Sequence, residues 1–536
     1  MRTSMPAYDS FVRDLLPPPE LWPEFIGLAE LNYPARLNCT SEFLDRWAET
    51  TPYAPALLFG EARWTYGGLK DRVDRIARTL ATDLGIRPGN RVLLRGTNTP
   101  MMAACWLAVA KMGAVVVATM PLLRAKEIAT ITDRARISHC LCQHGLADEV
   151  ERAGGLKLLT FTPLGDGDAS LDRAMARHGG AFAAWDSAAD DPVLIAFTSG
   201  TTGLPKATVH FHRDCLAICD SFARHTVGVR PDDLFVGTPP LAFTFGLGAL
   251  ALFPWRFGAA TVMVETFGPT TLLETIQRYR VTGLWTAPTG YRAMIPLTKD
   301  YDLSSLRLCV SAGEHLPAPT WQAWHDATGI RIIDGIGSTE MLHVFISAAG
   351  DAIRPGSTGR AVPGYLATIL DGDGHPLPPG AEGWLAVKGP TGCRYMDDPQ
   401  RQQTYVKNGW NITGDIYRQD EDGYFWYVAR GDDMIISAGY NISGPEVESA
   451  LLAHPMVAEC AVVAAPDDER GQIVKAYVVT REGISPGAEQ VAMLQNHVKA
   501  TIAPYKYPRA IEFVDSLPKT PTGKLQRFLL RDRAKQ

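Results

Sequence analysis

The sequence predicts an α/β protein: a large N-terminal domain of layered α/β sheets, then a small α+β C-terminal domain. Three observations lead there. A chain of 536 residues exceeds what one hydrophobic core usually serves, so at least two domains are expected. Strand-like and helix-like segments alternate from about residue 40 to 430, the pattern of parallel sheets covered by helices. After residue 430 short strands surround two helices in a module of about a hundred residues, a usual domain size.

The elements follow in order. Pro17-Pro18-Pro19 reads as a surface arm, and Ser41 to Ala48 and Thr65 to Leu84 as amphipathic helices, the second opening at Thr65-Tyr66 and closing at Gly85. Arg91 to Arg95 reads as a strand, Pro100 to Met112 as a helix ending at Gly113, and Ala114 to Thr119 as the next strand. Repeated βα units carry ligands on loops at strand ends. Further on, Leu306 to Val310 and Ile330 to Ile333 read as strands. In the last module Ala458 to Ala464 and Val474 to Val479 read as strands, and Pro445 to Ala453 and Glu489 to Thr501 as helices.

Charge excludes some functions. The net formal charge is -6 with both signs interleaved, so there is no basic stripe for nucleic acid or an anionic membrane. Arg2, Asp9, Arg13 and Asp14 precede any apolar run and nothing later approaches a spanning length, so a cytoplasmic protein is expected. Nine cysteines in so long a chain predict reduced thiols rather than a disulfide framework. His139, Cys140, Cys142 and His144 could be drawn as a zinc site, but the alternation from Ile137 to Cys142 favours a half-buried strand with its cysteines inward.

The most informative segment is Phe197-Thr198-Ser199-Gly200-Thr201-Thr202-Gly203-Leu204-Pro205-Lys206, directly after the apolar run Pro192 to Phe197. A strand holds the turn rigidly while its backbone N–H groups wrap phosphate oxygens. Hydroxyls add donors, Gly200 and Gly203 allow close approach, and Lys206 adds a point charge. It is not a Walker A loop, because Pro205 stands where that motif needs glycine. A second motif, Asp334-Gly335-Ile336-Gly337-Ser338-Thr339-Glu340-Met341-Leu342-His343, again sets glycines and hydroxyls beside an acid. A helix N-cap explains Ser338-Thr339-Glu340 nearly as well in isolation.

Together these motifs resemble the adenylate-forming superfamily of acyl-CoA synthetases, peptide-synthetase adenylation domains and luciferases, over roughly residue 40 to the end. That resemblance implies ATP held by Thr198, Ser199, Gly200, Thr201, Thr202, Gly203 and Lys206, and by Asp334, Gly335, Ile336 and Gly337. Thr339 would contact the α-phosphate and Glu340 would bind Mg2+, a hard cation suited to carboxylate oxygen. Gly313 and Glu314 would flank adenine, while Asp415 and Arg430 match the ribose contacts. The family commonly has Gly-Arg where this chain has Ala429-Arg430, a departure of little weight if the side chain of Arg430 makes the contact.

The resemblance also divides the chain into residues 1–431 and 432–536, with Asp432 the pivot about which the small domain swings. Gly439 and Tyr440 would line the coenzyme A tunnel. Lys524, in Pro521-Thr522-Gly523-Lys524, matches the catalytic lysine that stabilises charge in the first half-reaction. Leu241 to Gly248, the arrangement ending at His343, and Ser437 to Ile442 resemble benzoate and 2-aminobenzoate CoA ligases more than fatty-acyl enzymes. Phe245, His343, Phe243, His212 and Gly337 are then the expected acyl pocket.

The implied reaction joins a small aromatic carboxylic acid to coenzyme A at the expense of ATP, which becomes AMP and diphosphate. Other readings stay open. Gly246-Leu247-Gly248-Ala249-Leu250-Ala251 with Glu265 fits a relaxed dinucleotide fingerprint and would bind NAD. A nucleotide-sensing protein without catalysis, a carrier protein as acyl acceptor, and a homodimer also remain.

Overall fold

The computed structural model describes residues 8–198, 205–431, 433–437, 440–467, 470–484, 486–502, 504–520 and 525–535, without the side chains of Tyr440 and Asn441. The larger part of the chain is built on three sheets. One has six strands in the spatial order Lys157–Phe161, His139–Gln143, Arg91–Arg95, Val115–Thr119, Pro192–Thr198 and Lys206–Phe211. It is parallel except for the last pair.

The second sheet has nine strands in the order Arg360–Ala361, Val344–Ser347, Ile332–Gly337, Leu308–Ala312, Gly283–Thr286, Leu234–Gly237, Ala260–Val262, Pro55–Phe59 and Ala62–Thr65. Its middle is parallel and both margins are antiparallel. Helices cover the parallel strands, so those strands are buried on both faces and read as continuous apolar runs. Arg91–Arg95 is buried along its whole length. Its Arg95 is accommodated because the guanidinium donates to the carbonyls of Met120, Pro121 and Leu123.

Helix ends obey local chemistry. Tyr66–Thr82 is capped by Thr65, whose hydroxyl accepts from Gly68 N–H at 3.1 Å. Pro100–Lys111 carries proline at its first turn and Thr99 as cap, and is buried on every side. A third, antiparallel sheet contains Leu366–Leu370, Glu382–Lys388, Trp410–Gln419, Val406–Lys407 and Phe425–Arg430.

The smaller C-terminal part has its own apolar core. Its sheet of Val457–Asp467, Gly471–Thr480 and Ala510–Phe513 is accompanied by helices Gly444–Leu452, Ala488–Thr501 and Arg527–Ala534. The hairpin Ile435–Ser437 with Tyr440–Ile442 precedes it. The chain therefore has the predicted mixed α/β architecture, with a large N-terminal domain of sheets and a small C-terminal one.

Two expectations need correction. The strand expected at Ile330 to Ile333 runs Ile332–Gly337, so it takes in the first four residues of the second motif. Parallel pairing with Leu308–Ala312 extends through Gly335, where a Cβ would stand 2.7 Å from Val344 Cγ1. The dinucleotide fingerprint fails as well. Gly246 to Ala251 lies inside two successive buried helical turns, Thr244–Leu247 and Gly248–Leu252, not at a strand-to-helix turn.

All nine cysteines are unpaired and buried. Cys140 and Cys142 sit in the strand His139–Gln143. Burial pushes the thiols of Cys140, Cys219, Cys393 and Cys460 well above the usual range, and at Cys215 the contact with Cys39 does so first, with burial adding to it. Among the described residues no helix is long and apolar enough to cross a membrane.

Candidate active site

Thr198 and Lys206 are register partners at the open end of the hairpin Pro192–Thr198 and Lys206–Phe211. Ser199, Gly200, Thr201, Thr202 and Gly203, which connect them, lie outside the described residues. Lys206 points its ammonium at the second motif, with Nζ 3.9 Å from Glu340 Oε1 and 5.9 Å from the centre of the Tyr395 ring. Tyr395 donates its hydroxyl to the same Oε1 at 2.5 Å. Burial and the Glu340 charge push the Tyr395 phenol far up, so it stays a donor.

Residues 338–342 form a tight turn, not the start of a helix. The Ser338 hydroxyl accepts from Met341 N–H at 3.2 Å, and Leu342 is left-handed at φ +69°. His210 Nε2 donates to the Thr339 carbonyl at 2.8 Å. Neither His210 nor Tyr395 was singled out from the sequence, yet these two hold the turn.

Asp415 and Arg430 are register partners on adjacent strands, with Nη1 and Oδ1 3.8 Å apart. Asp415 is largely buried and Arg430 exposed, so the pair presents a carboxylate rim with a guanidinium beside it. Gly313 ends the strand Leu308–Ala312 at φ +89°, a left-handed turn that favours glycine. The next residue, Glu314, accepts from the backbone N–H of Leu525 at 3.2 Å. Lys524 itself lies outside the described residues, as do Asp432 and Gly439, and so does the side chain of Tyr440. Leu525, the residue after Lys524, is thus bonded to Glu314. Asp334 stands apart: its carboxyl is buried beside a cavity of about 10 Å³ with Trp321 and Ile332, and burial holds it well above the usual carboxylate range.

His343 lies in a ring cage. Phe222 stacks on it at 5.6 Å, Phe253 meets it edge-on at 4.5 Å, and Phe245 is tilted at 5.8 Å. Trp285 backs Phe222, Phe245 and Phe253. Gly248 is required by close approach, since a Cβ there would stand 2.4 Å from His343 Cδ2. Gly337 backs onto the His343 backbone in the same way, at 2.6 Å from its carbonyl oxygen. Phe243 is half-buried just before the turn Thr244–Leu247. His212 starts the helix His212–Ile218, its Nδ1 accepts from Cys39 N–H at 3.1 Å, and no described contact joins it to Phe245 or His343.

Burial lowers the pKa of His343 to about 3, and its contact with the Phe245 carbonyl only partly opposes this. The unfolded imidazole takes up a proton near pH 6.5, whereas the folded one stays neutral until far lower pH. The unfolded state then binds more protons across that interval, so stability falls as pH falls. His343→Gln is expected to lose less stability than the parent between about pH 6.5 and 4 in urea denaturation, and equal losses would contradict the buried, neutral assignment.

Fold and cluster together are those of an adenylate-forming enzyme, and comparison with known proteins agrees. Residues 44–394 match the AMP-binding enzyme family and residues 446–524 its C-terminal domain. The chain belongs to the AMP-binding enzyme family. It is 35% identical to a benzoate–CoA ligase of Thauera aromatica over 511 residues, which covers 94% of this chain and 97% of that protein. An uncharacterized acyl–CoA ligase of Bacillus subtilis (strain 168), YtcI, is 37% identical over 494 residues, 88% of this chain and 91% of the relative. Among solved structures, the anthranilate CoA ligase AuaEII in complex with anthranoyl-AMP superposes with a TM-score of 0.90 at 33% identity, covering 94% of this chain and 98% of the other. The chain is accordingly an acid–thiol ligase of the acyl-CoA synthetase kind.

Proposed function

We propose that the protein is an ATP-dependent aryl-CoA ligase whose first substrate is 2-aminobenzoate, with benzoate next. One observation carries the choice. The ring cage around His343 is flat-walled and apolar, and its imidazole is neutral with Nδ1 buried and without a partner among the described residues. With Nε2 turned to the Phe245 carbonyl at 3.4 Å, Nδ1 keeps its lone pair. An amino group ortho to the carboxylate supplies the donor that such a buried acceptor lacks. The benzoate and anthranilate ligases among the relatives support an aromatic acid.

In this reading the aryl carboxylate attacks the α-phosphorus of ATP and pyrophosphate leaves with the electron pair of the broken P–O bond. The coenzyme A thiol then attacks the acyl carbon and AMP departs. Activation is needed because a carboxylate is a poor acyl donor. The hairpin turn after Thr198 and the ammonium of Lys206 hold the phosphates, Thr339 bonds the α-phosphate, Glu314 flanks adenine, and Asp415 and Arg430 hold the ribose. Residues 1–431 form the adenylation domain and 432–536 the swinging one, with Gly439 and Tyr440 on the path of the thiol.

The site suits Mg2+. Both contacts of the Glu340 carboxylate with described side chains fall on Oε1, which leaves Oε2 as a hard oxygen ligand, and Mg2+ is commonly held by one carboxylate plus substrate phosphates. Bound there, the ion would neutralise phosphate charge that repels an incoming carboxylate.

The test is AMP release dependent on ATP and CoA across 2-aminobenzoate, benzoate, hydroxybenzoates and medium-chain acids, with a phosphopantetheinyl carrier as alternative acceptor. The highest kcat/KM is expected for 2-aminobenzoate with free CoA. Preference for an aliphatic acid would discard the aryl pocket and leave the two-step chemistry standing.

A further inference from the structure

The turn at Thr339 and Glu340 belongs to no helix or strand, yet two groups outside it fix it at two points. His210 reaches the Thr339 carbonyl from the strand Lys206–Phe211, and Tyr395 reaches Glu340 Oε1 from the segment bridged to that strand at Thr208. Both side chains are fully buried. The two supports are locked together. Val209 N–H bonds to the Arg394 carbonyl and Met396 N–H to that of Ala207, both at 2.9 Å, so residues 394–396 run antiparallel beside the strand.

Behind them Arg394 pairs with Asp214 at 2.8 Å with neither side chain exposed, and the guanidinium lies 4.0 Å over the Phe211 ring. Asp214 Oδ2 in turn stands 3.8 Å from His210 Nδ1. Although burial opposes it, the Arg394 charge holds the Asp214 carboxyl well below the usual range. Breaking such a buried pair is costly, so the frame behind the turn is stiff.

We propose that His210 and Tyr395 are positioning residues for adenylation: His210 fixes the backbone at Thr339, and Tyr395 occupies one oxygen of Glu340 so that the other faces the cleft. This rests on the adenylate-forming reading. A carbonyl oxygen only accepts, so His210 acts through its Nε2 proton. A phenol donating to a ligating carboxylate orients that ligand without touching the metal, and losing such a partner commonly costs roughly 10- to 100-fold in metal affinity or activity.

The experiment compares His210→Leu, His210→Gln and Tyr395→Phe with the parent in three measurements. They are single-turnover aryl-adenylate formation, thioester formation from supplied aryl-adenylate, and Mn2+–ATP binding followed by electron paramagnetic resonance. Adenylation by His210→Leu is expected to slow roughly 10- to 100-fold while the KM for the aryl acid and the thioester step stay put. His210→Gln, whose amide N–H is offered to the same carbonyl, should recover most of that loss. Tyr395→Phe should weaken Mn2+–ATP binding by a similar factor. The proposal is overturned if His210→Leu adenylates at the parent rate, or if Leu and Gln lower both half-reactions and melting temperature alike. It also falls if Tyr395→Phe binds Mn2+–ATP as the parent does. Pyrophosphate exchange by the parent enzyme is measured first, because its absence would sink the functional reading and not the clamp.

Discussion

Lys524→Ala is expected to lower ATP–pyrophosphate exchange by roughly a hundred- to a thousand-fold, which is ~3 to 4 kcal/mol of transition-state stabilisation. Negative charge grows on the α-phosphoryl oxygens and on departing pyrophosphate as the carboxylate attacks, and an ammonium fixed beside them acts without reorganising water. The structure supplies the anchorage. Leu525 N–H is bonded to Glu314, and two residues further Arg527 forks onto Glu448 at 2.8 and 2.9 Å. Thioester formation from supplied aryl-adenylate should proceed at close to the parent rate, because no pyrophosphate leaves in that step. Equal loss in both half-reactions would place Lys524 outside the chemistry.

Asp432→Pro is expected to separate the same two steps in the opposite sense: adenylation should survive and thioester formation should be lost. The flanks of that residue are tied to different parts of the molecule. Gly431 N–H bonds to the Gly414 carbonyl at 3.0 Å, and a Cβ at Gly431 would stand 2.3 Å from Trp384, so this side is fixed to the large domain. Asp433 is paired with Arg531 of the last helix, which fixes the other side to the small domain. One backbone bond, Asp433 N–H to the Arg430 carbonyl at 2.9 Å, spans the residue and has to break on rotation. If Asp432 is the pivot, the φ/ψ change falls on that position, and proline would lock its φ near −65°. Single-turnover assays of both half-reactions check this, and survival of both would move the pivot elsewhere.

How much of this was legible in the sequence depends on how local each signal is. The strand under the first motif, the helix capped by Thr65 and the helix entered at Pro100 were readable because period and cap chemistry act over a few residues. Lys206 stood out because hydroxyls and glycines cluster before it, whereas Glu340, Asp415 and Arg430 were assigned through the resemblance to the adenylate-forming superfamily. The boundary of Ile332–Gly337 was missed because its glycines look like loop until Val344 is seen to crowd them.

His210 and Tyr395 were missed for a different reason: their roles arise from pairing between segments about 185 residues apart. One hint was available, since a histidine inside the buried run Val209-His210-Phe211 must find a partner for its ring. Two residues along, His212 begins a helix and meets the backbone of Cys39.

The burial of every cysteine bears on the fate of the activated acid. An acyl-adenylate is a mixed anhydride, and any accessible thiolate on the protein would intercept it and acylate the enzyme itself. Cys393, two residues from Tyr395, is enclosed and kept protonated by that enclosure, with the Glu340 charge adding to the effect. Self-modification at Cys393 is thereby disfavoured, which leaves the anhydride beside it to an external acceptor.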